Sequence, residues 1–234
     1  MKPYQKVPIQ ECNEPLIQIP LEKFAVEFPH PYETLGAEYG GISPYSLRSG
    51  VVEALETAQS LLETIRAGWK IKIYDAYRPI GVQQFMVDYT FETLLKKQNP
   101  NPARVSPQEK QKIWQQVYQF WAAPNIDRKM PPPHSTGAAV DVTLTNSSGQ
   151  TIAMGGEIDE IHERSVPNYY LKSDRLEELQ YHRHRQLLDQ VMTHAGFLRH
   201  PNEWWHFSLG DQMWAWLHNQ KHPEQNAIAR YGRL

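Results

Sequence analysis

A chain of 234 residues, 40% hydrophobic and 11% aromatic, is long enough to bury one substantial core. Its 24 basic and 26 acidic residues leave a formal charge of −2, which provides no overall attraction to nucleic acid or to an anionic membrane. The only cysteine, Cys12, excludes an internal disulfide framework and a purely thiolate metal site, so any metal would rest on histidines and carboxylates.

Residues 1–48 are rich in Pro, Tyr and Gly and lack periodicity, which reads as an irregular lead-in packed on the body. A helix is expected next: Ser49 can cap it, Val51, Val52, Leu55, Ala58, Leu61, Leu62 and Ile65 recur at helical spacing, and Gly68 suits a left-handed end. KIKIYD (70–75) reads as a strand with Ile71 and Ile73 on one face. Residues 81–97 look helical, and a loop with Pro100, Pro102 and Pro107 leads to a helix announced by Ser106, Pro107 and Glu109 as cap, first-turn proline and capping-box partner.

GAAVDVTLT (137–145) alternates, with Val140, Val142 and Leu144 on one side and Ala139, Asp141, Thr143 and Thr145 on a polar side. A charged helix is expected from about Ser173 to Ala195, ended by Gly196. FLRHPNEWWHFSL reads as two short strands joined at Pro201 and Asn202, and DQMWAWLHNQ as a closing helix. Without repeats or a low-complexity linker, 1–234 is expected to form a single α+β domain. No secretory run and no stretch near the ~20 apolar residues of a membrane span is present, so a soluble, cytoplasmic protein is expected.

In PPPHSTGAAVD (131–141), His134 and Asp141 are seven apart. The prolines and β-branched residues argue against a shared helix, and in one straight strand an odd spacing would point them to opposite faces. A bend at Gly137 lets both converge. In NEWWHF, Glu203 and His206 are three apart and need a bulge or a strand end to act together. Two imidazoles and a carboxylate make a catalytic zinc donor set that leaves a position for water. His134, Asp141 and His206 would be the ligands, and Glu203, unligated, the general base.

HSTGAAVD and EWWH, in this order, resemble the zinc peptidases that include D-alanyl-D-alanine carboxypeptidases and dipeptidases and share a fold with the Hedgehog signalling domain. YDAYRPIGVQ (74–83) and MGGEIDEIHERS (154–165) resemble the dipeptidase branch. The resemblance implies a central, mostly antiparallel sheet flanked by helices, and one Zn²⁺ per chain on His134, Asp141 and His206. It implies Glu203 as base, Arg78 as the oxyanion's partner and Asp159 as the group that holds the substrate's free ammonium. A guanidinium stays charged and presents a fixed fork of donors, which suits developing negative charge. A structural salt bridge to Asp75 is the plainer role for Arg78. Where dipeptidases of the enterococcal type have serines before the first zinc histidine, this chain has Pro132 and Pro133.

The implied activity is hydrolysis of D-Ala-D-Ala or a similar small D,D-dipeptide, with no nucleic-acid or membrane partner and an open oligomeric state that includes a homo-oligomer. A D,D-carboxypeptidase or peptidoglycan endopeptidase with the same metal site, and a noncatalytic zinc-binding interaction domain, are the alternatives. His162, His182, His184, His194 and His200 are expected to be structural, Trp204 and Trp205 to pack, and Ser135 to be no nucleophile.

Overall fold

KIKIYD and AVDVTLT become neighbouring antiparallel strands at the centre of a five-stranded sheet, β4 (Lys70–Asp75) and β5 (Ala139–Thr145). The computed structural model describes residues 2–99, 101 and 104–234; Pro100 and Pro102 of the expected loop lie outside them. The sheet is completed by β2 (Ala25–Val26), β6 (Leu198–Arg199) and β7 (His206–Ser208), in the order β2-β4-β5-β7-β6. Only the β2–β4 pairing is parallel. A separate antiparallel pair joins β1 (Leu16–Gln18) to β3 (Ser46–Arg48).

The lead-in is therefore more ordered than its composition indicates. It carries three strands and the short helix α1 (Pro31–Thr34), and β2 extends the central sheet. Strands of two or three residues among prolines leave too short a pattern for periodicity to register.

Helix α2 (Ser49–Ile65) buries Val51, Val52, Leu55, Ala58 and Leu62 against β4 and α5 (Leu176–His194). Ser49 is its first helical residue, and the cap position falls on Arg48 without a side-chain cap bond. Gly68 follows at φ +77, the left-handed conformation that glycine adopts without penalty. The core beneath the sheet combines this stripe with Ile71, Ile73, Val140, Val142, Leu144, Leu188 and Phe207. Truncating one such residue, Leu62 to Ala, would cost about 2–5 kcal/mol through lost burial and the cavity left behind.

Helices α3 (Ile80–Gln98) and α4 (Pro107–Phe120) pack together around a second apolar cluster that includes Tyr32, Met86, Phe91, Ile113 and Trp121. The start of α4 follows its sequence signal: Ser106 Oγ accepts from the Glu109 backbone N–H, and the Glu109 carboxylate accepts from that of Ser106. Helix α5 begins three residues later than Ser173, whose hydroxyl instead donates to Glu178. Helix α6 (Gln212–Lys221) is capped by the Asp211 carboxylate, which accepts from Trp214 N–H at 2.7 Å. Among the described residues no helix is long and apolar enough to cross a membrane.

Candidate metal centre and active site

The strand alternation positions chemistry as well as core. Val140 and Val142 face the apolar interior, so Asp141 faces the opposite side of β5. Its polar row is not solvated: Asp141, Thr143 and Thr145 are all buried. Across the ladder Asp141 lies directly opposite His206, the first residue of β7, so the strand end expected for EWWH brings both side chains to one face.

His134 arrives from the other direction. Pro132 is extended, Pro133–Thr136 form a 3-10 turn, and Gly137 at φ +70 reverses the chain into β5. A Cβ on Gly137 would lie 2.8 Å from Leu16 Cδ1, so both conformation and space favour glycine there.

On β4 a bulge makes the decisive adjustment. Ile73 pairs with Val142, but Asp75 pairs with Asp141, so two residues on β4 answer one on β5. Without the bulge, regular pairing of the same residues would place Asp75 opposite Val140, on the core face with Ile71 and Ile73. With it, Asp75 joins Asp141.

The three donor groups lie close together, Asp141 turning one oxygen to each histidine. His134 Nε2 lies 3.1 Å from His206 Nδ1 and 3.3 Å from Asp141 Oδ2, and His206 Nδ1 lies 3.0 Å from Asp141 Oδ1. Ligands about 2.0–2.1 Å from a tetrahedral centre lie roughly 3.3 Å apart, so this donor set fits Zn²⁺ in chemistry and in spacing. The outer hydrogen bonds fit as well. His134 Nδ1–H donates to the Ala76 carbonyl at 2.8 Å, leaving the Nε2 lone pair toward the cluster. His206 Nε2 lies 3.4 Å from Ser208 Oγ, which donates to Asp211 at 3.0 Å. Burial alone would raise the Asp141 carboxyl and weaken the His134 imidazolium; their mutual attraction reverses both shifts, lowering the first and raising the second.

Arg78 is held firmly. Its Nε and Nη2 donate to Asp75 Oδ2 at 3.0 and 2.7 Å, Nη1 to Gln83 Oε1 at 3.0 Å, and Nη2 to the Tyr32 hydroxyl at 3.0 Å. The salt bridge to Asp75 is real, and the guanidinium also stands 3.6 Å from Asp141 and 4.9 Å from the centres of the Tyr32 and Trp121 rings. Four bonds occupy four of the five N–H groups of a guanidinium, so among the described residues one on Nη1 stays open.

The Tyr32 hydroxyl donates to Asp159 at 2.7 Å. Asp159 sits at φ +63, a left-handed conformation uncommon for a residue with a side chain and concentrated at functional sites. Its carboxyl is pushed up to about 6, by burial first and by the negative charge of Asp141 second.

Glu203 occupies the opposite wall, in the turn before β7. It is 9% exposed, and the nearest imidazole nitrogens are distant: His200 Nδ1 at 3.6 Å and His206 Nδ1 at 3.9 Å. Burial is the main force raising its pKa to about 7, and Asp141 adds to it. His134, Asp141, His206, Glu203, Arg78 and Asp159 all line one cavity of about 50 Å³. A groove of about 800 Å³ elsewhere carries none of these six residues.

Several neighbours of the site carry no local sequence signal. Tyr32 comes from the lead-in, Asp75 from the far side of a bulge, and Ser208 and Asp211 from behind His206. His200 lines the cavity and is held well below the usual histidine range, mostly by burial. Among the other expectations, Ser135 Oγ donates to the Arg78 carbonyl at 2.7 Å, and Trp204 and Trp205 are buried.

A buried His, Asp and His donor set with an unliganded carboxylate beside it, on a mixed α+β sheet, is the constellation of a metallopeptidase. Residues 26–228 match the family described as D-ala-D-ala dipeptidase, and the chain belongs to that family of metallopeptidases. It is 52% identical over 240 residues to a D-alanyl-D-alanine dipeptidase of Synechocystis sp., an alignment covering 100% of this chain and 97% of the relative. It is 29% identical over 163 residues to a D-alanyl-D-alanine dipeptidase of Escherichia coli, covering 70% of this chain and 66% of the relative. Among solved structures, the vancomycin resistance D,D-pentapeptidase VanY in complex with Zn(II) aligns over 92% of this chain and 88% of its own, with 18% identity and a TM-score of 0.43.

Proposed function

We propose that this chain hydrolyses D-Ala-D-Ala or a closely similar small D,D-dipeptide, with one Zn²⁺ held by His134 Nε2, Asp141 and His206 Nδ1. When bound, the ion supplies Lewis acidity, which polarises a carbonyl and makes water a better nucleophile near neutral pH. The observation that supports the reading best is the donor cluster, with contacts of 3.0–3.3 Å between its three side chains and Glu203 beside it.

Asp159, with the Tyr32 hydroxyl, pairs with the substrate's ammonium. An N-acylated peptide would bury that carboxylate unpaired, which disfavours longer chains. The free Nη1–H of Arg78 meets the scissile carbonyl oxygen as negative charge develops on it. Glu203 takes the proton of the attacking water as the new C–O bond forms, then delivers it to the amide nitrogen as the C–N bond breaks. A carboxyl near 7 suits both acceptance and return. The small cavity and the bulk of Trp205 keep other water away.

Purified protein with stoichiometric zinc should release D-alanine from D-Ala-D-Ala at neutral pH and lose most of this activity on N-acetyl-D-Ala-D-Ala. Equal turnover of both would favour the carboxypeptidase or endopeptidase alternative, and no turnover of either would remove the substrate assignment.

A further inference from the structure

The amino-terminal residues precede the stretch matched by the family, yet they return to the catalytic cavity. Lys2, half-buried, lines it beside Glu203, and the Pro3–Lys6 turn follows. The turn is fixed at several points. Lys2 N–H donates to Gln5 Oε1 at 2.8 Å, Tyr4 is 3% exposed, and Gln212 on α6 donates to the carbonyls of Val7 at 2.6 Å and Lys129 at 2.9 Å.

Lys2 is a cation without an assigned partner. Among the described residues its ammonium makes no ion pair; the contacts of Glu203 run to His200 and His206. Burial lowers the Lys2 pKa and the Glu203 carboxylate works to raise it, so the ammonium lies within the field of that wall. Arg78, the other cation lining the cavity, has one N–H left, on the wall with Tyr32 and Asp159.

A free dipeptide presents four groups in order: ammonium, scissile carbonyl, amide nitrogen and carboxylate. Asp159, Arg78 and Glu203 answer the first three in the reading above, on which this inference rests. The carboxylate is one carbon from the amide nitrogen, so it must lie next to the group that protonates that nitrogen. We infer that Lys2 receives the carboxylate of the leaving residue and so selects a substrate that ends there. A substrate with a neutral end would leave a half-buried ammonium unpaired.

The test uses the zinc-loaded full chain carrying Glu203→Gln, so that substrate stays intact, with Lys2 retained, changed to Gln or changed to Arg. Calorimetry measures the affinity for D-Ala-D-Ala and for D-alanyl-D-alaninamide. Lys2→Gln should weaken binding of the free dipeptide about tenfold or more and leave the amide within about twofold, and Lys2→Arg should restore much of the loss. An equal loss for both ligands, or none for either, overturns the inference. Turnover by the wild-type chain is measured in parallel. If the dipeptide is hydrolysed but Lys2→Gln changes nothing, only the role of Lys2 fails; if neither ligand binds nor reacts, the dipeptidase reading itself fails.

Discussion

The two walls of the cavity are built on opposite principles. On one, Asp75, Arg78, Tyr32 and Asp159 form a continuous chain of hydrogen bonds of 2.7–3.0 Å. On the other, Glu203 and Lys2 stand nearly bare, with the nearest imidazole nitrogens 3.6 and 3.9 Å from Glu203. A group that stabilises charge gains from being immobile, because no reorganisation is needed as charge develops. A group that carries a proton must accept it and give it back, and strong fixed partners would lock it in one state. On the proposed mechanism, the difference in bonding divides positioning from proton transfer.

The contrast can be broken most severely at Glu203. Glu203→Gln should reduce kcat about 10²–10⁴-fold while zinc content, by metal analysis, stays at one per chain. In the wild type, kcat/KM should rise with pH as this carboxyl loses its proton, with a midpoint below about 7 because a bound cation favours the carboxylate. The same acid limb persisting in the residual activity of the variant would assign it to another group.

On the bonded wall, Asp75→Asn should destabilise the fold by about 3–5 kcal/mol in urea denaturation at pH 7, because it leaves Arg78 buried with its main partner gone. Burial would raise the Asp75 carboxyl, but Arg78, His30 and His134 outweigh burial and hold it below its ordinary value. A depressed carboxyl stabilises the fold fully above its unfolded pKa of about 3.9 and loses that contribution as pH falls further. Wild-type stability should accordingly drop below pH 4, and the drop should be smaller in the variant.

Two smaller effects sharpen the comparison. Ser208→Ala, by freeing the far nitrogen of His206, should weaken zinc binding about 10–100-fold in competition with a chelator. Tyr32→Phe removes one hydroxyl shared by Arg78 and Asp159 and should lower kcat/KM for D-Ala-D-Ala about tenfold, with the ring packing intact. Retention of full kcat/KM would detach this hydroxyl from the site's work.

The helices and central strands were legible because their patterns are long: the stripe of α2, the capping box of α4 and the alternation of β5. The approach of His134 to Asp141 was legible because an odd spacing around Gly137 admits few conformations. Tyr32 and Lys2 were not, since Arg78 and Asp159 lie 46 and 127 residues from Tyr32, Glu203 lies far along the chain from Lys2, and nothing in their own neighbourhoods marks them. Asp75 was legible as a salt-bridge partner for Arg78, but not as a neighbour of Asp141. KIKIYD alternates cleanly, and a regular reading assigns Asp75 to the core face, while the bulge that moves it is a property of the pairing with β5. His200 was set aside because ligand spacing was the criterion, whereas its place at the cavity follows from the hairpin that returns β6 to β7.

The bulge on β4 also sets how this strand tolerates change in length. Tyr74 works as a phase shift: before it the strand keeps time with the apolar interior, after it with the catalytic face. Removing that one residue would make the ladder regular and still leave Asp75 opposite Asp141, whereas regular pairing at the present length would put Asp75 opposite Val140, on the core face with Ile73, stranding Arg78. Shortening by one at position 74 is therefore compatible with the aspartate's place, while loss of the bulge at constant length is equivalent to losing the aspartate, a distinction that a comparison scored residue by residue would miss.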